Sequence, residues 1–122
     1  MKRTGILAIA VVTSFATAVS AHPHLKAAGP APASIVNVSP AALRLQFNEP
    51  VELAFSGVEV TNAKGEKQSV GKAKTVANDK AQLIVPLNGT LAPGKYTVAW
   101  HAVGDDTHHV NGSYTFSVKN QR

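Results

Sequence analysis

Tyr96-Thr97-Val98-Ala99-Trp100 and, a little further on, Ser113-Tyr114-Thr115-Phe116-Ser117-Val118 decide how this chain folds. Both segments alternate large apolar with small or polar residues, so Tyr96, Val98 and Trp100, and then Tyr114, Phe116 and Val118, share one face of an extended strand. A strand patterned this way buries one face against a second layer and leaves the other in water. Leu43-Arg44-Leu45-Gln46-Phe47 alternates likewise, as does Val58-Glu59-Val60 ahead of the turn signal Asn62-Ala63-Lys64-Gly65. Asn78-Asp79 reads as a turn before Leu83–Leu87. Pro86 there predicts an edge position, because proline lacks the N–H that a central ladder needs. Pro30, Pro32 and Pro40 break the early part into loops or edge strands. No window carries a helical period. Several short strands at this spacing predict an all-β, two-sheet Greek-key sandwich. In it Phe47 and Trp100 belong to the core, and His101, next after Trp100, faces solvent.

The 122 residues suffice for one domain and not for two. The amino terminus reads as a targeting signal. Met1-Lys2-Arg3 is positive, Ile6 to Val12 is apolar, and Val19-Ser20-Ala21 presents small residues where a signal peptidase cuts. The apolar run falls short of a transmembrane span of about 20 residues. Without cysteine, lipid anchoring, disulfides and thiolate ligands are all excluded. We therefore expect residues 1–21 to be cleaved and residues 22–122 to form an exported, unanchored, monomeric domain. Loss of Lys2 and Arg3 lowers the net charge from +5 to +3, with 10 basic residues against 7 acidic ones. Those bases are scattered singly rather than lined up, which argues against a nucleic-acid partner.

Metal-binding donors concentrate in Gly104-Asp105-Asp106-Thr107-His108-His109. In an extended segment residues i and i+2 point the same way, so Asp106 and His108 can reach one point in space. A carboxylate oxygen and an imidazole nitrogen form half of a site suited to Cu(II), Zn(II) or Ni(II). Cleavage after Ala21 supplies the other half, because His22 then carries an imidazole and a free α-amine on one residue. Both groups, with ordinary pKa values of about 6.5 and 8, lose their protons near neutrality. His24 cannot complete the familiar amino-terminal copper motif, since Pro23 offers no amide N–H. If the first strand begins at the end of the sandwich that carries residues 104–109, His22 can fold over Asp106 and His108. Four such donors in a plane suit Cu(II); zinc prefers them tetrahedral.

These residues resemble the CopC-type periplasmic copper-resistance proteins. Pro93, Tyr96, Val98 and Trp100, then Asp106-Thr107-His108, then Gly112, Tyr114, Phe116 and Val118 are similar to that family's C-terminal signature. So are Phe47-Asn48-Glu49-Pro50-Val51 and the histidine that follows the signal segment. The resemblance implies a cupredoxin-like (Ig-like) sandwich of about seven strands in the periplasm, with one Cu(II) per chain held by the amine and imidazole of His22, by Asp106 and by His108. Glu49 matches an acidic position near that site and is expected to orient the terminus; otherwise it is a surface carboxylate at a strand end. Some members carry a methionine-rich Cu(I) loop, but Val60 to Lys74 contains no methionine. A Cu(II)-only protein is implied, since thioether sulfur is the donor Cu(I) prefers.

The expected function is sequestration of Cu(II), or its delivery to an inner-membrane transporter of the CopD type, without enzymatic activity. Two alternatives remain at this stage. An amino-terminal histidine chelate plus a second histidine also resembles the copper brace of oxidative enzymes, and a metal-free Ig-like interaction module needs none of these donors.

Overall fold

The computed structural model describes Gly5 and residues 23–120. The cleavage point and His22 lie outside the described residues. Nine strands follow in chain order: β1 (Leu25–Gly29), β2 (Ser34–Val36), β3 (Ala42–Phe47), β4 (Gly57–Asn62), β5 (Lys67–Gln68), β6 (Lys74–Val76), β7 (Asp79–Pro86), β8 (Gly94–Val103) and β9 (His109–Val118). A single 3-10 turn, Leu53–Phe55, precedes β4. The strands form two sheets, β1-β3-β7-β6 and β2-β9-β8-β4-β5, packed as a sandwich. The all-β sandwich expected from the alternating segments is present. The count exceeds about seven because β2, β5 and β6 are edge pieces of only two or three residues, too short to leave a pattern in the sequence. No helix of the described residues is long and apolar enough to cross a membrane.

The core is built from the period-two positions. Leu43, Leu45 and Phe47 of β3 and Leu83 and Val85 of β7 face Val60, Tyr96, Val98, Ala102, Tyr114, Phe116 and Val118 of the other sheet. Burying one such aliphatic or aromatic side chain contributes about 1.5–3 kcal/mol, which is why the alternation dictates the layer each strand joins. Tyr96 and Phe116 are direct cross-strand partners, and their rings stack 5.7 Å apart. Phe47 meets Trp100 edge to face across the two sheets, with centroids 5.4 Å apart. Trp100 is only partly buried, at the margin of the core. Its ring lies over Gly112, its partner on β9, where a β-carbon would stand 2.6 Å from Cζ2.

Two local expectations are corrected. β7 runs between β3 and β6, so Pro86 is not on an edge strand. It is tolerated because it ends β7, beyond Ile84 where the β6 pairing begins, and its carbonyl accepts the Gly71 N–H at 2.7 Å. The last strand starts at His109 rather than Ser113, because β8 continues to Val103 and pairs with it there, Val103 opposite His109. Ladder hydrogen bonds are made by the backbone, so this polar stretch is recruited without any apolar signal.

Three contacts tie the start of β1 to the β8–β9 connection, and this positions the site. Leu25 pairs with Phe47. His24 and Asn48 are clamped twice, the Asn48 N–H donating to the His24 carbonyl at 3.0 Å and the Asn48 Oδ1 accepting the His24 N–H. Val51 then bridges to Gly104. The chain therefore enters the sandwich at the end that carries residues 104–108.

Candidate metal centre

Asp106 and His108 converge, though by a route other than the pleat of a strand. Residues 104–107 form a turn closed by the Thr107 N–H on the Gly104 carbonyl at 3.0 Å. Thr107 then adopts φ 65°, in the left-handed region. Within this reversal Asp106 Oδ1 accepts the His108 backbone N–H at 3.2 Å, an Asx-turn contact. Its Oδ2 lies 2.8 Å from His108 Nδ1. The carboxylate is the more sheltered partner, 26% exposed against 62% for the imidazole. A β-branched residue at positive φ is rare and costs about 1–3 kcal/mol. The surrounding hydrogen bonds hold it there, and the result is two donor atoms fixed at close range.

Gly104 is the hub of the surroundings. A β-carbon there would lie 2.8 Å from Glu49 Oε1, 3.2 Å from Asp106 Oδ1 and 3.2 Å from Pro23 Cδ. Glu49, Asp106 and Pro23 thus gather around one point, although 26 residues or more separate each from the next in the chain. Pro23 is fully buried. Glu49 Oε1 is buried with no hydrogen-bond partner among the described residues. A buried carboxylate oxygen without a donor costs about 1–3 kcal/mol or more, so its position beside Pro23 and Asp106 marks a place where a donor belongs.

The other histidines stand apart from this point. His101 is exposed on the outer face of its sheet with its ring over Gly57, as its place after Trp100 predicts. His109 is exposed at the start of β9, and His24 is fixed by its backbone with its side chain outward. Among the described residues no three His, Asp or Glu side chains gather into one metal site. The third predicted ligand residue, His22, lies outside them. Tyr114 is a polar group that the sequence reading assigned only to the core. Its hydroxyl is buried without a partner among the described residues, and burial pushes its pKa up to about 12.

Residues 25–119 match the CopC domain. The chain belongs to the CopC family. It is 45% identical over 113 residues to Protein YobA of Escherichia coli strain K12, covering 93% of this chain and 91% of that one. Copper resistance protein C of Escherichia coli is 36% identical over 121 residues, 93% of this chain and 94% of the relative. Copper transport protein CutJ of Bacillus subtilis is 31% identical over 98 residues, 80% of this chain but 18% of that protein. Among solved structures, CopC from Methylosinus trichosporium OB3b superposes with a TM-score of 0.77 at 30% identity, covering 83% of this chain and 97% of the other. PcoC, a methionine-rich copper resistance protein from Escherichia coli, gives 0.71 at 32%, covering 80% and 99%. As a CopC-family chain, this protein is placed among copper-resistance and copper-transport proteins, and copper binding is the property the family implies.

Proposed function

We propose that this protein is a periplasmic Cu(II)-binding protein that holds one ion per chain on the α-amine and imidazole of His22, on Asp106 and on His108. It acts by sequestering copper or by handing it to an inner-membrane transporter of the CopD type, and has no enzymatic role. The observation that carries this reading is the 2.8 Å separation of Asp106 Oδ2 and His108 Nδ1 at the end of the sandwich where Pro23 packs beside Gly104. That contact is a hydrogen bond, which brings a carboxylate oxygen and an imidazole nitrogen together at one point. Cu(II) leads the divalent affinity order for such oxygen and nitrogen ligands.

The chain enters this site at Pro23, and successive Cα atoms are about 3.8 Å apart. His22, the residue bonded to Pro23, is the third proposed ligand residue. A cleaved α-amine would give the Glu49 carboxylate the donor it lacks, which supports a role for Glu49 in orienting the terminus rather than as a plain surface acid. Glu49, Glu52, Asp105 and Asp106, four of the 7 acidic residues, sit on the two connections at this end. Their field favours a divalent cation here although the chain as a whole is basic. The CutJ relationship, in which a domain like this one occupies a small part of a copper transport protein, supports delivery as the purpose.

The test is a Cu(II) titration of protein beginning at His22, read by electron paramagnetic resonance. One equivalent with a tetragonal, nitrogen-rich spectrum is expected, lost in His108→Ala and in protein with a residual tag before His22. Equally tight binding by the tagged protein would sink the terminal-amine assignment. An absence of saturable binding would sink the copper reading.

A further inference from the structure

A groove of about 290 Å³ runs along the loop that carries Asp106. Phe55 and Val103 give it an apolar floor, and Glu52, Asp105, Thr107 and His109 stand around it. Phe55 is 64% exposed and Leu53 38%, two of the four large hydrophobic side chains left in water among the described residues. The 3-10 turn that bears them is bound to the metal loop on both sides of Val103. The Glu52 N–H donates to the Val103 carbonyl at 2.7 Å, and the Val103 N–H donates to the buried Ser56 Oγ at 3.1 Å. The exposed aromatic is therefore held at a fixed distance from Asp106, three residues beyond Val103.

The geometry points to this groove as the docking site for a cationic segment of the protein that accepts copper, one whose apolar side chain covers Phe55. The inference rests on the Cu(II) reading above. The groove's charged residues are the carboxylates Glu52 and Asp105, with no lysine or arginine among those that line it. The complement of an aromatic floor with acidic walls is an apolar side chain flanked by Arg or Lys, and arginine also stacks on aromatic faces. An anionic lipid surface would be repelled by the same walls. Among the described residues Glu52, Asp105 and His109 do not gather into a metal site of their own. Asp105 and Thr107, which the occupant would touch, flank Asp106 in the chain. A segment seated here therefore brings its own ligands to the copper without displacing the fold.

Two synthetic peptides probe the site, one alternating leucine with arginine and one alternating leucine with glutamate. Each is titrated into metal-free protein beginning at His22, with amide shifts recorded by NMR. The Leu/Arg peptide is expected to give saturable shifts at Leu53, Phe55, Val103, Asp105 and Thr107, and Phe55→Ala and Glu52→Gln each weaken its binding about tenfold. Phe55 and Glu52 are exposed, so both variants fold, and the Cu(II) titration of Phe55→Ala stays as in the parent. In a second arm the Leu/Arg peptide is extended by two histidines and offered to copper-loaded protein. It removes Cu(II) several-fold faster than a dihistidine lacking the Leu/Arg segment, and Phe55→Ala abolishes the advantage. Shifts confined to another face, equal binding of the Leu/Glu peptide, or equal removal rates would each overturn the docking assignment. Failure of the copper reading is separately visible, because it leaves peptide binding intact while no copper is held.

Discussion

A β-carbon on Gly104 would stand 2.8 Å from the Oε1 atom of Glu49, closer than carbon and oxygen tolerate. No positive φ demands glycine at this position. The close approach of Glu49, Asp106 and Pro23 does. All three obstructing atoms belong to side chains, so a Gly104→Ala protein can fold by pushing them aside. We expect a stability loss of about 1–2 kcal/mol, a Tm decrease of several degrees for a domain of this size. The loss in Cu(II) affinity should be larger in proportion, because Asp106 and the chain entering at Pro23 are displaced together. Calorimetry and copper titration of the same variant separate the two effects. An unchanged copper affinity would show that Gly104 does not organise the site.

Thr107 at φ 65° sits between the two proposed ligands at a conformation that asparagine tolerates far better than threonine. Thr107→Asn is expected to raise the Tm of the metal-free protein, with a gain of up to about 1 kcal/mol, and to retain Cu(II) binding. Thr107→Val, still β-branched, should give no such gain. Thermal melts of the three proteins side by side decide the matter.

The ring of Trp100 leaves no room beside Gly112, where a β-carbon would approach Cζ2 at 2.6 Å and Cε2 at 2.8 Å. Unlike the Gly104 neighbours, this obstacle is a rigid indole that is itself packed against Phe47. Gly112→Ala should cost about 1–3 kcal/mol and red-shift the emission of the lone tryptophan as its ring swings outward. Melting temperature and fluorescence together test this, and a native-like emission spectrum would contradict it.

Burial raises the Tyr114 pKa from 10.0 to about 12. The unfolded chain releases this proton first, so the group leaves stability unchanged below pH 10 and lowers it as pH climbs through 12, where the fold must bury a phenolate or keep the proton. The loss across that interval amounts to about 2–3 kcal/mol. Tyr114→Phe removes both the titration and a buried hydroxyl that has no partner among the described residues. The variant should match or exceed the parent in stability at pH 7 and should lose less of it between pH 10 and 12. Urea melts across that interval provide the check.

Held on the proposed ligands, copper must displace protons from the imidazoles and the α-amine. Apparent Cu(II) affinity is therefore expected to fall as pH is lowered from 7 to 5, more steeply for the protein beginning at His22 than for His108→Ala. Competition titrations at the two pH values measure it. A flat profile would mean that carboxylates alone hold the metal.

Much of the fold was legible because burial of one face imposes a period of two. Leu43 to Phe47, Tyr96 to Ala102 and Tyr114 to Val118 are long enough to display it, and the structure places their apolar positions in one core. Leu25–Gly29, Ser34–Val36 and Lys74–Val76 are strands of mixed exposure, held by backbone pairing that is blind to composition. The stretch from His109 to Ser113 escaped for the same reason. Pro86 misled because a residue's right to lack an N–H depends on where its strand ends, and that is decided by the neighbour β6.

At the site, residue types and spacing marked Asp106 and His108 as a candidate pair, since a carboxylate oxygen and an imidazole nitrogen can share a metal. The sequence also determined the two-layer β architecture, through alternation strong enough to survive without any long-range knowledge. Tertiary structure decided the rest. Asp106 and His108 meet through a turn with Thr107 left-handed, not through the pleat of a strand, because the β8–β9 hairpin reverses there. Glu49, Pro23 and Gly104 come together only because β1 pairs with β3 and Val51 bridges to Gly104. Phe55 is exposed beside the metal loop because backbone hydrogen bonds fasten its turn to Val103. Such contacts join residues far apart in the chain, and their free energy exists only when the whole sandwich closes.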